Sequence, residues 1–272
     1  MLVIYLLDHT GLFVSQKGIS MIKVIITAPK GAMDSMIVEE AWKNPKLEIT
    51  GCIGNPEKDY IGKDIGDVVP GIGQKTGVFV YGSIDEIIDS CDVVLDFSTV
   101  ELSMEVLSSC KAHGKALFCG TTGFTAEQTE EIIAASKSIP LIKAANTSYV
   151  VNVMKKLLGE AAAMLGNKCK IEIIDLHPQT KLDAPSGTAL ELGEEIASSA
   201  PDKTFEDITF HSVRAGNTPS SHRILFGCMG EIMTISHDAY DMRCFALGAC
   251  DAALFLGKQK PGNYTMVDVI ED

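Results

Sequence analysis

The chain has 272 residues, 46% of them hydrophobic but only 6% aromatic, which supports one large domain or two modest ones with aliphatic cores. A formal net charge of −13 excludes a nucleic-acid partner, which needs clustered Lys and Arg; an anionic small ligand stays open, because a helix end or a few local cations hold one. The eight cysteines form no CxxC pair and no Cys/His cluster at ligand spacing, which argues against a zinc site and reads as reduced thiols in a cytoplasmic protein.

The opening run MLVIYLL is apolar, too short to span a membrane, without a basic segment before it, and is broken by Asp8 and His9. Residues 1–20 read as an extension, and Met21 opens the first strand, 22–27 (IKVIIT). No other segment approaches a membrane span. A helix follows at 33–43, with Met33, Met36, Ile37, Ala41 and Trp42 near one face, then a strand at 47–53. Residues 54–77 are rich in Gly and Pro and read as a long connection. Alternation resumes with a helix at 84–89, a strand at 92–97, a helix at 101–113, a strand at 115–119, a helix at 125–137 and a strand at 140–144. Strands alternating with helices at this spacing predict a doubly wound parallel sheet.

Beyond Asn146 the texture changes. A helix at 150–165 leads to a strand at 170–177, a helix at 188–199 and strands at 207–214, 223–228 and 231–237; 243–256 is again helical. The expected fold is a Rossmann-like α/β unit, 21–148 with 243–272, joined to an α+β open-sheet unit, 149–242. His113 reads as a solvated helix-end residue and His211 as a strand-face residue.

The most informative stretch is 175–189, DLHPQTKLDAPSGTA. His177 closes a strand, Lys181 follows four residues later, and Pro185-Ser186-Gly187-Thr188 opens a helix. Helix N-termini bind carboxylates, Gly187 allows close backbone approach, and Ser186 or Thr188 adds a hydroxyl donor. The imidazole of His177 suits proton donation, while Lys181 offers a cation. A plain helix cap beside a surface Lys and His explains the same pattern, so both readings stand on the residues alone.

The stretch resembles the signature of dihydrodipicolinate reductases, acidic-x-His-His-x-x-Lys-x-Asp-Ala-Pro-Ser-Gly-Thr-Ala, matching at Asp175, His177, Lys181 and Asp183 through Ala189. Pro178 replaces the second histidine. Gly120-Thr121-Thr122-Gly123-Phe124, Ala144-Ala145-Asn146 with Ser148, Val151-Asn152-Val153-Met154, and Arg214-Ala215-Gly216 with His222 agree in order and spacing, so the resemblance runs from Met21 to the C-terminus. It implies an NADH- or NADPH-dependent reductase of a small cyclic imine dicarboxylate, built as a homotetramer. His177 would protonate the reduced imine, Lys181 would anchor the substrate, and Ser186, Gly187 and Thr188 would grip a carboxylate. Gly120, Thr121, Thr122 and Ala144, Ala145, Asn146 and Thr147 would line the nicotinamide side, and Lys30, Gly31 and Met33 the pyrophosphate loop.

That loop departs from the family, which has glycines at the positions of Ala28, Lys30 and Asp34. A carboxylate at Asp34 is expected to compete with an anion for the first-turn N–H groups. The second strand ends on Gly54-Asn55, where an acidic residue usually holds the adenosine ribose. The alternative is a paralogue without dinucleotide binding that keeps the carboxylate site.

Overall fold

The computed structural model describes residues 20–272 together with a short antiparallel pairing of β1 (Leu6–Leu7) with β2 (Phe13–Val14). The reading of 1–20 as an extension, His9 included, otherwise lies outside the described residues.

The first sheet contains β3 (Ile22–Thr27), β4 (Leu47–Ile53), β5 (Val80–Tyr81), β6 (Val93–Asp96), β7 (Ala116–Cys119), β8 (Pro140–Lys143) and β13 (Gly262–Tyr264). All seven pair in parallel in the order β13-β8-β7-β6-β3-β4-β5. Both faces are covered, which is why β6 and β7 are buried at every position rather than at alternate ones. One core lies under α1 (Ala32–Lys43), the other under α3 (Val100–His113) and α4 (Ala126–Ala135). Thr99 caps the start of α3 and Gly114, with φ 64°, ends it in the left-handed conformation.

The long connection from Gly54 holds a short helix, α2 (Ile65–Val68), and is fastened by Asp64. That carboxylate accepts hydrogen bonds from the N–H groups of Gly66, Thr76 and Gly77 and from the Thr76 hydroxyl. Burial opposes its charge, but these donors win and hold it at about 2. The helix expected at 84–89 is instead two 3-10 turns, Ile84–Glu86 and Ile88–Ser90. A Ser83–Glu86 capping box closes the first, and Ile87 leaves helical geometry between them.

The second sheet is mixed, in the order β10-β9-β11-β12, with β9 (Lys170–His177), β10 (Ile208–Arg214), β11 (Ser220–Cys228) and β12 (Glu231–Ala239). β10 is parallel to β9, and β11 is antiparallel to both β9 and β12. One face packs on α5 (Tyr149–Leu165) and α6 (Gly187–Ser199); Val213, Ile232 and Met233 are exposed on the sheet. The chain then returns to the first sheet. α7 (Arg243–Leu256) packs beside α1, with Arg243 bridging Glu39 at 2.8 Å and Glu40 at 2.6 Å, and β13 adds to β8 before α8 (Met266–Glu271). No helix among the described residues is long and apolar enough to cross a membrane.

One expectation is overturned. Eight reduced thiols were expected, but Cys169 and Cys228 form a disulfide, leaving six free cysteines. Cys169 precedes β9 and Cys228 ends β11, so antiparallel pairing brings their Cα atoms to 4.4 Å. A sequence separation of 59 residues hides that proximity from any reading of spacing.

Candidate active site

β9 alternates strictly, and the face that sends Ile171 and Ile173 into the core also carries Asp175 and His177 at its C-terminal end. Register extends this polar end across the sheet. Ser212 of β10, Asp175 of β9, His222 of β11 and His237 of β12 stand in one row across four strands, and Arg214 pairs with His177 in the next row.

Asp175 is fully buried and sits at the centre. Its Oδ2 accepts hydrogen bonds from the Ser186 N–H at 2.9 Å, Arg214 Nη2 at 3.0 Å and the Ser212 hydroxyl at 3.4 Å. Its Oδ1 lies 2.6 Å from His177 Nδ1 and 3.6 Å from His222 Nε2. Burial pushes the carboxyl up, but His177, the Ser186 N–H and Arg214 together hold it well below the usual carboxylate range. Burial, helped by neighbouring His177, lowers His222 to about 4, and burial lowers His237 as well, so His222 is a neutral ring at neutral pH. Asp175, His177 and His222 bring donor atoms within 4.8 Å of one another. The carboxylate is already neutralised by Arg214, so the cluster has its charge balance from protein groups rather than requiring a cation.

A cavity of about 590 Å³ opens between the two sheets' units. Met33, Phe97, Ala145, Asn146 and Thr147 face it from the first, and His177, Lys181 and Thr188 from the second. Asn146 Nδ2 donates to Thr188 Oγ1 at 2.8 Å across the gap, so the Thr188 hydrogen stays available to a ligand. No atom lies within 4 Å of where a Gly187 side chain would begin, leaving the first turn of α6 open to close approach. Pro178 lines the same cavity, and Lys181 Nζ pairs with Asp183 at 2.9 Å.

Ser186, expected to touch a ligand, is spent on structure: it is buried, its hydroxyl accepts from the Ala189 N–H at 3.1 Å as the helix cap, and it contacts His222 Nε2 at 3.3 Å. Gly120, Thr121, Thr122 and Ala144 do not line the cavity. Thr121 turns its hydroxyl to buried Asp96 at 3.3 Å, the Ala144 N–H donates to the Cys119 carbonyl, and Gly120 packs edge-on against the Phe97 ring. His113 pairs with Asp89 at 2.9 Å and His211 with Glu172 at 2.5 Å, both exposed pairs away from the site.

The loop between β3 and α1 corrects the expectation for Asp34. Its carboxyl does not project toward a bound anion but is buried beneath the loop at 2% exposure. The reason is packing: Asp34 Oδ2 lies 2.4 Å from where a Gly31 Cβ would be, so only glycine fits above it. Burial, opposed by a hydrogen bond from its own N–H and reinforced by Asp96, pushes Asp34 up to about 8, so it is largely a neutral acid at pH 7. The Ala32 and Met33 N–H groups, in the first turn of α1, have no intrahelical acceptor, as a bound diphosphate requires. Lys30 stands at the loop surface, 3.8 Å from Asp59 and 5.1 Å above the Tyr60 ring. The first turn of α1 thus leaves backbone donors open. At the end of β4 a Cβ at Gly54 would meet the Tyr60 ring at 2.4 Å, so that position has no room for an acidic side chain.

Ala28 holds φ 42°, in the left-handed region that favours glycine. An L side chain pays about 1–2 kcal/mol for that conformation. Ala28→Gly is therefore expected to raise the unfolding free energy by about 1 kcal/mol after the added chain entropy of glycine, read as a higher urea midpoint at unchanged slope. A lower midpoint would show that the Ala28 methyl stabilises the loop by contact.

Residues 22–147 match the family profile for the N-terminus of dihydrodipicolinate reductase, and residues 150–270 match that for its C-terminus. The chain belongs to the dihydrodipicolinate reductase family. Among solved structures it is similar to a dipicolinate-bound dihydrodipicolinate reductase from Paenisporosarcina sp. TG-14, at 27% identity and a TM-score of 0.75, over 90% of this chain and 97% of that one. A myo-inositol dehydrogenase from Corynebacterium glutamicum ATCC 13032 (11% identity, TM-score 0.59, 92% and 93% covered) shares the fold, as does a probable dehydrogenase from Thermotoga maritima (11%, 0.58, 92% of each).

Within the family motif, the structure adds residues that sequence reasoning left without a role. Asp175 was signalled by its position two residues before His177 on one strand face. Arg214, His222 and His237 reach the site only through cross-strand register, which no spacing along the chain displays.

Proposed function

We propose that this chain reduces a cyclic imine dicarboxylate with NADH or NADPH, as in the conversion of 4-hydroxy-tetrahydrodipicolinate to tetrahydrodipicolinate on the way to diaminopimelate and lysine. The observation that carries this reading is the single cavity that sets His177, Lys181 and Thr188 against Met33 and Ala145 to Thr147. The Paenisporosarcina reductase holds dipicolinate, a planar dicarboxylate of the same class.

When bound, the dinucleotide supplies the hydride. Lys30 and the Ala32 and Met33 N–H groups would hold its pyrophosphate, and Asn146 and Thr147 would line its nicotinamide side. The open turn at Gly187 and Thr188 binds one substrate carboxylate, and Lys181 binds the second. With Nδ1–H against Asp175, the doubly protonated ring of His177 presents Nε2–H to the cavity, delivers from it the proton that the reduced ring takes up, and is left as the neutral Nδ1–H ring to be reprotonated from water. Val213, Ile232 and Met233 on the second sheet suit burial against further copies, in keeping with a homotetramer.

A second reading, a dicarboxylate-binding paralogue without redox activity, is favoured by the Tyr60 ring standing against Gly54. Titration with NADH and NADPH, followed by nicotinamide fluorescence, separates the two: saturable binding of either supports the reductase, and none at millimolar concentration supports the paralogue. Pyridine-2,6-dicarboxylate is expected to bind and raise the melting temperature. Thr188→Val is expected to weaken that binding by roughly 5- to 100-fold, the size of one hydrogen bond to a charged group, about 1–3 kcal/mol. Equal affinity in calorimetry would remove Thr188 from the carboxylate contact.

A further inference from the structure

Building on the proposed reductase reading, we propose that Asp175 is the positioning residue of the site, one carboxylate that sets both the imidazole of His177 and the carboxylate-binding turn at the start of α6. Its two oxygens divide the task. Oδ1 faces His177 Nδ1 at 2.6 Å, which leaves Nε2 as the nitrogen for the cavity. Oδ2 takes the Ser186 N–H at 2.9 Å, which fixes the residue immediately before Gly187 and Thr188. Arg214 locks the arrangement from the other side: Nη2 reaches Asp175 Oδ2 and the Asp183 carbonyl, and Nη1 the Asp175 carbonyl. The strand carrying the proton donor, the loop carrying Lys181 and the helix gripping the ligand thus meet on one buried charge.

The pairing with His177 is close but off-axis, and neither Asp175 Oδ1 nor His177 Nδ1 has a well-directed hydrogen bond. Such contacts tighten when a ligand closes the site. His222 cannot replace the carboxylate: it is a fully buried ring packed edge-to-face on His177 at 5.3 Å, and its own nitrogens face Ser186 and Ser220. It backs the donor ring and keeps water from it, with His237 stacked behind at 6.3 Å. The charged or titratable groups facing His177 are therefore Asp175 on its own strand, Arg214 on β10 and His222 on β11, with Lys181 along the cavity wall.

The test compares Asp175→Asn with Ser212→Ala, which removes a hydrogen bond to the same carboxylate but not its charge. Three readouts are taken. Ring-nitrogen NMR of His177 is expected to show that the neutral ring, once Nε2 has given up its proton, keeps Nδ1–H in the parent and is a mixed tautomer population in Asp175→Asn. Calorimetry is expected to show pyridine-2,6-dicarboxylate binding at least tenfold weaker in Asp175→Asn. The pH profile of imine reduction is expected to move by a pH unit or more. Ser212→Ala should leave all three near the parent. If Asp175→Asn does not fold, Asp175→Asn with Arg214→Gln replaces the ion pair by an amide pair and is expected to behave likewise. An unchanged tautomer in the folded variant overturns the proposal, as does loss of only one of binding and pH profile, which would break the coupling. A parent that binds the dicarboxylate yet reduces no imine sinks the reductase reading instead, and the NMR and binding results still decide the role of Asp175.

Discussion

An Asp34→Asn variant is expected to be more stable than the parent at pH 8 and nearly equal to it at pH 4. The sign follows from proton counting. Burial raises the folded carboxyl from 3.8 to about 8, so between those limits the folded chain holds a proton that the unfolded chain has released. The folded state binding more protons means that stability falls as pH rises, from full strength below about 4 to its lowest above about 8. Four pH units at 1.36 kcal/mol each put the whole effect on the order of 5 kcal/mol. Asparagine keeps the shape and does not titrate, so urea midpoints across this range should slope less in the variant. Parallel curves for the two proteins would mean that the carboxyl reaches water or a cation and is ionised in the folded state. Because the residue is neutral near pH 7, it adds little negative charge to the pyrophosphate turn, and the variant should bind NADH about as well as the parent at that pH.

His177→Asn is expected to lower turnover by roughly 10²- to 10⁴-fold, the usual contribution of a positioned proton donor. The amide of asparagine keeps a donor toward Asp175, so the buried carboxylate is not stranded and the fold should survive. Dicarboxylate affinity should stay within a few-fold, because Lys181, Gly187 and Thr188 are untouched. The loss should therefore fall in kcat rather than in KM. A kcat within threefold of the parent would assign the proton to another group, with Lys181 the next in the cavity.

Much of this architecture is legible in the chain because local pattern and tertiary environment agree. The strands read at 22–27, 47–53 and 170–177 coincide with β3, β4 and β9, and the return of helical periodicity at 243–256 coincides with α7. What escaped has physical causes. β5 has two residues and β13 three, too short for any periodicity, and each exists only because a neighbouring strand offers its edge. The site shows the same division. His177, Lys181 and Thr188 lie within a dozen residues and read as a unit, whereas Arg214 and His222 belong to it only after β10 and β11 pair with β9. Asp34 misled for the opposite reason. A carboxylate at a helix start usually faces solvent or an anion, but glycine at position 31 lets this one fold inward.

The return of the chain to the first sheet bears on its synthesis. Ala246, Ala249, Cys250, Ala252, Ala253, Phe255 and Leu256 of α7 fill the same core as Val24, Ile26, Ile37 and Leu95, and β13 covers the edge of β8. A ribosome that has delivered the first 147 residues has made six of the seven strands, while the part of one face that α7 covers and one strand edge still lack their cover. The second sheet, by contrast, is complete in a single continuous stretch. The later-made unit can therefore close its core first, while the earlier one waits with an exposed apolar face until the last thirty residues emerge. This order of synthesis favours closure of the second unit before the first, and truncations near Leu256 should trouble solubility out of proportion to the length removed.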